Sequence, residues 1–241
     1  MSQSSLAQGG KGSGQRAFSF KEPSWAEESV FTQHDSDTVI LDIPFVHQTQ
    51  EFTCGAACVI MAMKYFDPSV VANEDLEIDI WREANLVEDW ATCGRGLAYS
   101  AAKRGLGAEI IASVDDIPFR ERIFKISPNA DKKVLDFFFH DMKRRALSLN
   151  VPEKKAEVTL DLIRAAVLEN SVPILLTSSS ISYNDDIPHW IVVRGWNREG
   201  FLIYDPLWEA PRDDPIKNSI LEKWIGYGSG QIMIKIFSKA T

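Results

Sequence analysis

The order of apolar and polar positions divides the chain into a helical first half and a strand-rich second half. From Cys54 onward the residues are apolar on nearly every side of a helix, which is typical of a buried helix. Asp67-Pro68 ends it. Helices with one apolar side are also predicted over 73–85, 94–104, 131–149 and 159–169.

Short apolar runs predict strands, and most of them come late in the chain. An early strand is predicted at 39–43 and another at 108–112; the later runs are 172–177, 190–194, 201–204 and 231–237. Because the helices come first and the strands cluster late, the pattern predicts an α+β domain rather than a wound parallel sheet. We expect the N-terminal helical part to pack on an antiparallel sheet.

Composition and length refine this picture. Residues 1–36 are polar and rich in Ser, Gln and Gly, so we predict a disordered tail followed by one domain over 37–241. The tail lacks the apolar core of a secretory signal, and no run is long enough to span a membrane. These features predict a cytoplasmic protein.

The formal net charge of −8 gives the chain no electrostatic attraction for nucleic acid or an anionic membrane. The short basic runs 132–133 and 143–145 are interpreted as solvated helix faces. Three cysteines fit neither a disulfide framework nor a four-ligand zinc site. We therefore expect free thiols, no metal and no cofactor, while the oligomeric state stays open.

Cys54 is the candidate nucleophile because of its position. It lies in the first turn of the buried helix, where unpaired N–H groups and positive partial charge stabilise a thiolate. The small residues Gly55 and Ala56 would let a substrate backbone approach. The usual fate of a free cysteine is structural burial, which is the interpretation for Cys58.

A thiol nucleophile needs a base, and four histidines are available. His34 lies in the predicted tail, and His140 lies on the amphipathic helix 131–149. His47 precedes Cys54 in the same loop and stays open as an alternative. His189 is favoured because it opens the strand 190–194.

Asp205 is the candidate orienting group for His189. If 190–194 and 201–204 form an antiparallel hairpin with 193 opposite 201, then 189 falls opposite 205 on the same face. Opposed Cβ atoms in such a pair are about 4.5–5.5 Å apart. A one-residue slip would place the two side chains on opposite faces. An oxyanion donor is also needed, and the residues alone leave Gln48 and Gln50 open beside the Cys54 N–H.

The segment 47–58, HQTQEFTCGAAC, resembles the C39 family of papain-like peptidases, which process leader peptides of bacteriocins and pheromones. That family has a Gln six residues before the Cys, and a strand-heading His with an Asp about sixteen residues later. The resemblance implies a papain-like fold. It also implies that Cys54 is the nucleophile, His189 the base, Asp205 the orienter and Gln48 the oxyanion donor.

The resemblance covers 43–66 and 172–207, whereas 70–158 is longer than in a compact C39 domain. The chain is more similar to stand-alone C39-like proteins of bacteria and archaea, and distantly to eukaryotic guanylyl cyclase-like proteins. Nucleotide cyclisation needs carboxylate-held metal and a phosphate loop, which the sequence does not offer. Transporter and ATPase domains do not accompany the segment, which disfavours a double-glycine leader as substrate.

Together these features predict a C39-like cysteine peptidase, a thiol protease that hydrolyses a peptide or isopeptide bond in a peptide or protein substrate. Two alternatives remain open at this point. The same triad supports acyl transfer in a transglutaminase-like enzyme, and the cleft could belong to a non-catalytic peptide-binding module.

Overall fold

A computed structural model describes residues 38–239 of the chain, apart from Glu88, Ser182 and Asn184. The predicted tail over 1–36 lies outside the described residues. The description below therefore concerns the predicted domain.

Seven strands form one mixed sheet in the order β1-β5-β4-β7-β2-β3, with β6 also paired to β5. All pairings are antiparallel except β2 with β3, which is parallel. The strands are β1 Val39–Ile40, β2 Gly107–Ala112, β3 Glu153–Lys155, β4 Val172–Ser178, β5 Pro188–Trp196, β6 Phe201–Tyr204 and β7 Ile232–Phe237.

Seven helices of the described chain accompany the sheet, three of them before β2. Helix α1 packs on β4 and β5, α3 packs on β2 and β7, and α6 packs on β4 and β5. The helices are α1 Cys54–Phe66, α2 Glu74–Ala84, α3 Gly94–Lys103, α4 Arg120–Ile126, α5 Lys132–Ser148, α6 Leu160–Leu168 and α7 Asn218–Trp224.

The core lies where α1 meets the central strands. Every residue of α1 from Cys54 to Met63 is buried, as its nearly continuous apolar pattern predicts. Strands β4 and β5 are also buried along almost their whole length, which is typical of strands covered on both faces. The α+β class is confirmed, and the cysteine-bearing helix α1 packs on the mainly antiparallel sheet.

Two short helices, α4 and α7, were not predicted from the sequence. Each has seven residues and a single buried one, Ile123 in α4 and Leu221 in α7, so neither has a readable apolar stripe. Strand β1 covers two residues of the predicted 39–43. The Leu41 N–H still donates to the Arg194 carbonyl at 2.7 Å, and beyond Leu41 the chain leaves the sheet.

The predicted register of the β5–β6 hairpin is wrong. Val193 lies opposite Ile203 rather than residue 201, and a bulge follows between Val193 and Gly195. Gly195 is required there, since a Cβ would come within 1.9 Å of the Val39 carbonyl on β1. A shift by two residues, unlike a shift by one, keeps every side chain on its face. His189 and Asp205 therefore remain on the same face, diagonal to each other instead of opposite.

Candidate active site

Cys54 is the first residue of α1 and lies close to the surface, with 7% of its area exposed. The sequence suggested that the next residue, Gly55, leaves room for a substrate backbone, but the space beside it is filled by other parts of the chain. A Cβ on Gly55 would meet Thr92 Oγ1 at 2.5 Å and Leu97 Cδ1 at 2.7 Å. The absent side chain thus allows α3 and the segment before it to pack closely against α1.

His189 lies on β5, buried and paired across the ladder with Thr177 of β4. The Thr177 hydroxyl donates to the His189 carbonyl at 3.2 Å. The imidazole Nε2 lies 2.7 Å from Asp205 Oδ1. The imidazole also forms a hydrogen bond with the Cys54 side chain. The structure therefore brings together three of the four side chains selected from the sequence.

Asp205 follows β6 and is buried. Its Oδ1 accepts the N–H of Leu207 at 2.9 Å as well as the bond from His189. A carboxylate with several partners is fixed in direction, and it fixes the plane of the imidazole in turn. The Asp205 segment also contacts the loop before α1, because the Gln48 N–H donates to the Pro206 carbonyl at 3.0 Å.

The protonation of His189 is set by opposing effects. Burial disfavours the imidazolium and by itself lowers the pKa of His189. The negative charge of Cys54, together with the hydrogen bonds that the imidazole makes to Asp205 and Cys54, outweighs burial and raises the pKa of His189 to about 10. His189 therefore keeps its proton at neutral pH.

The other two thiols are in different surroundings. Cys58 is fully buried one turn further along α1, where its Sγ donates to the Trp190 carbonyl at 3.4 Å. Burial raises the pKa of Cys58 well above its ordinary value, and the nearby charges of Cys54 and Asp205 raise it further. Burial also raises the pKa of Cys93, against the opposing influence of Arg95. Both are suited to structural roles and serve as internal references for Cys54.

The two candidate oxyanion donors are used differently. The Gln50 amide Nε2 donates to Glu74 Oε1 at 3.0 Å near the surface. Gln48 is buried, its Nε2 donates to the Gln50 carbonyl at 2.7 Å, and its Oε1 is buried without a hydrogen-bond partner. Gln48 lies in the loop before Cys54 but does not line the cavity described below.

The remaining histidines have other contacts. His47 Nδ1 lies 2.8 Å from the Trp208 carbonyl, and His140 Nδ1 lies 2.6 Å from the Asp136 carbonyl on the exposed side of α5. His34 lies outside the described residues. Of the histidines weighed from the sequence, His189 is the one that the structure places beside Cys54.

Glu77 was missed in the sequence and holds the loop that leads to Cys54. It is buried in the first turns of α2, accepts the Thr49 N–H at 2.8 Å, and accepts a hydrogen bond from the Thr53 hydroxyl. A signal was present, because Glu77 shares the buried side of α2 with Ile80 and Ala84. A carboxylate on the apolar side of a helix needs partners there.

Cys54 and His189 both line a cavity of about 420 Å³. Loop 85–93 between α2 and α3 contributes one wall, and α4 with the residue after it contributes another. The further described residues of the lining are Glu51, Phe52, Asp89, Trp90, Ala91, Arg122, Ile126, Ser127, Ser179, Ile187, Pro188 and Leu207. The cavity connects the candidate nucleophile with solvent.

Within residues 38–239 as described, no group of three or more His, Cys, Asp or Glu side chains is arranged to hold a metal ion. The helices of the described chain include none with the length and apolar character needed to cross a membrane.

The solved structures that resemble the chain do so at a distance. A protein described as a C39-like peptidase from Bacillus anthracis is 13% identical, with 85% of this chain and 99% of the other covered and a TM-score of 0.42. A double glycine motif protease from an AMS/PCAT transporter, in complex with the leader peptide, is 14% identical over 82% and 96%, with a TM-score of 0.41. At these TM-scores, neither structure assigns a role to a residue of this chain.

The sequence comparisons are decisive for the family. No curated protein matches the chain significantly. The sequence model of the Peptidase_C39 like family, however, matches residues 43–231, which is well over half of the chain and includes all four candidate residues. The resemblance noted from the sequence is thereby confirmed: the chain belongs to the Peptidase_C39 like family.

Proposed function

We propose that the chain is a cysteine peptidase that hydrolyses a peptide or isopeptide bond. One observation carries the proposal: the buried His189 imidazole is held between the Asp205 carboxylate and the Cys54 thiol, at the wall of an open cavity. A nucleophile, a base and an orienting group in contact are the combination that covalent catalysis of acyl transfer requires. Family membership supports the same reaction class.

The first half of the reaction uses the thiolate and the imidazolium. The Cys54 sulfur attacks the substrate carbonyl carbon and forms an S–C bond, while the carbonyl oxygen gains negative charge. The His189 imidazolium gives its proton to the departing amine nitrogen, the C–N bond breaks, and a thioester remains on Cys54. Asp205 holds the imidazole in position throughout and stabilises its charged form.

The second half returns the enzyme to its starting state. Neutral His189 takes a proton from water, and the resulting hydroxide attacks the thioester carbonyl. The S–C bond breaks, so the products are a carboxylic acid and the Cys54 thiolate facing the His189 imidazolium. The oxyanion of both steps is assigned to the Cys54 N–H and the Gln48 amide. One hydrogen on Gln48 Nε2 bonds the Gln50 carbonyl, which leaves the second to donate.

Alkylation by iodoacetamide tests the proposed ion pair without knowledge of the substrate. At pH 6 an ordinary thiol is about 0.3% thiolate, so Cys58 and Cys93 should label slowly. We expect Cys54 to label fastest of the three, as located by mass spectrometry of peptides. His189→Ala should slow Cys54 at least about 10-fold at this pH, because the partner of the thiolate is lost. Equal labelling of the three thiols would refute the assignment of Cys54.

Hydrolysis is tested with a protein digest as a mixed peptide substrate, with Cys54→Ala as the control. New termini that appear with the wild type and not with Cys54→Ala support a peptidase. The same incubation with methylamine distinguishes hydrolysis from acyl transfer, because a transferase would form methylamide products. If neither a product nor an acyl-enzyme forms although Cys54 is reactive, the enzyme proposal is refuted and the peptide-binding module remains.

A further inference from the structure

The cavity beside Cys54 is lined by large apolar side chains that are exposed to solvent. Trp90 is 66% exposed, Ile126 is 50% exposed and Ile187 is 41% exposed, and all three border the same cavity. Single exposed apolar residues are ordinary, but several around one concave site next to a reactive thiol mark a binding surface. Trp is also the residue type that contributes most strongly to binding where it is exposed at a site.

Trp90 is held in place before any ligand binds. The Trp81 indole Nε1 donates to the Trp90 backbone carbonyl at 2.8 Å. The Phe52 ring packs against both indoles, with its centroid 4.8 Å from that of Trp81 and 5.3 Å from that of Trp90. The Asn85 amide closes the same loop by donating to the Asp89 carbonyl at 2.6 Å. A wall fixed in this way binds a ligand without the cost of ordering it.

Phe52 also connects the Trp90 side of the cavity to the candidate nucleophile. Phe52 precedes Cys54 by two residues, and both line the cavity. A substrate side chain against Trp90 and a substrate carbonyl at Cys54 would therefore occupy the same cavity.

The charges around the cavity disfavour an acidic substrate side chain. Apart from His189, Arg122 is the single cationic residue among the described residues of the lining, and it pairs with Asp89 at 3.4 Å. Glu51 adds a negative charge at the exposed rim. An incoming carboxylate would thus meet two acids, and both cations, Arg122 and the His189 imidazolium, already have carboxylate partners.

We propose that this cavity binds a large apolar side chain of the substrate, aromatic or branched aliphatic, next to the bond that Cys54 attacks, and that Trp90 is its specificity-determining residue. The inference rests on the proposed peptidase function and names its substrate class: peptides with a bulky apolar residue at the cleavage site. A volume of about 420 Å³ accommodates such a side chain together with the backbone that carries it.

Protection of Cys54 from iodoacetamide tests this preference. The probes are acetyl-Gly-Gly-X-Gly-Gly-amide peptides in which X is Phe, Leu, Gly or Asp, so that X can settle on either side of Cys54. The measured quantity is the peptide concentration that halves the alkylation rate of Cys54. For the wild type we expect the Phe and Leu peptides to protect at concentrations at least about 10-fold lower than the Gly and Asp peptides.

Variants assign the preference to Trp90. Trp90→Ala keeps the backbone carbonyl that Trp81 bonds, so the loop remains closed, and it should reduce the preference to less than about 3-fold. Trp90→Phe should retain most of it. Phe137→Ala is the matched control, because Phe137 is also 66% exposed and lies on α5 outside the cavity lining. It should leave the preference unchanged.

The possible failures are distinguishable. If Cys54 labels selectively and depends on His189, yet all four peptides protect equally or Trp90→Ala keeps the full preference, the pocket assignment is overturned and the peptidase proposal stands. If the alkylation rate of Cys54 without peptide matches that of Cys58 and Cys93, both proposals are overturned. The rate without peptide also shows whether Trp90→Ala has altered the thiol itself.

Discussion

Replacement of Glu77 should loosen the loop that carries Gln48 and leads to Cys54. The carboxylate Oε1 accepts both the Thr49 N–H and the Thr53 hydroxyl; Glu77 and Thr53 are buried, whereas the bond to Thr49 is partly buried. Glu77→Ala leaves the Thr49 N–H without its acceptor, whereas the Thr53 hydroxyl can still donate to the Gln50 carbonyl at 2.9 Å. An N–H without a partner costs about 1–3 kcal/mol, and exchanging the charge-assisted hydrogen bond of Thr53 for a neutral one costs about 1 kcal/mol more. We expect a loss of about 2–4 kcal/mol in the free energy of unfolding.

Glu77→Gln should have a smaller effect. The amide oxygen can accept both hydrogen bonds, but the bonds are then neutral rather than charge-assisted. The difference between the two kinds is about 1 kcal/mol per bond, so a loss of about 1–2 kcal/mol is expected. Asp75→Ala is the control, since it removes an exposed acid from the same first turn of α2. It should cost no more than the helix-dipole effect, about 0.3–1 kcal/mol.

Urea denaturation measures the stability, and alkylation of Cys54 by iodoacetamide at pH 6 measures the effect on the site. Under conditions where every variant is folded, Glu77→Ala should slow Cys54 alkylation several-fold while Asp75→Ala leaves it unchanged. The reasoning fails if the free energy of unfolding of Glu77→Ala lies within roughly 0.5 kcal/mol of the wild-type value, which is the scatter of surface substitutions. It also fails if stability drops while Cys54 keeps its full reactivity.

Three further outcomes are expected. Asp205 helps to raise the pKa of His189 to about 10, so the imidazolium that protonates the leaving amine persists to that pH. Asp205→Asn should therefore move the alkaline limb of the kcat/KM profile to lower pH. An unchanged alkaline limb would contradict the coupling between Asp205 and His189. Gly55→Ala should lower the urea-denaturation stability by about 1–3 kcal/mol through overpacking against Thr92. Gln48→Ala should lower kcat about 100-fold for any peptide substrate without changing iodoacetamide labelling of Cys54, because an oxyanion donor acts on the transition state alone.

Much of the site was predictable because the alternation of side chains along a strand fixes the face on which each one lies more strongly than it fixes which residues pair across the ladder. His189 and Asp205 were placed on one face of a hairpin, and they meet there even though the assumed register was two residues off. At the turn, Trp196 pairs with Phe201, three residues from the assumed register, and the bulge between Val193 and Gly195 reduces the offset to two. That bulge has no clear sequence signal beyond Gly195. The prediction succeeded because the error happened to be even.

The parts that escaped prediction depend on contacts between distant segments. The support from Glu77 needs α2 to lie against the loop before α1, and no local pattern fixes that packing. The cavity that Trp90 lines depends equally on α4, a helix too short to show an apolar stripe. Gly55 shows the converse, since its local context suggested access for substrate and its tertiary context is a tight helix contact.

The distance along the chain between the two halves of the site has a consequence during synthesis. The hydrogen bond from Cys58 to Trp190 joins segments 132 residues apart, and the same two segments carry Cys54 and His189. At about 5–20 residues per second, a ribosome needs on the order of ten seconds to make the intervening chain. Throughout that interval the nascent cysteine has no partner base. If the chain is the hydrolase proposed above, this order of assembly keeps it inert toward its own unfinished chain and its neighbours until β5 has joined the sheet.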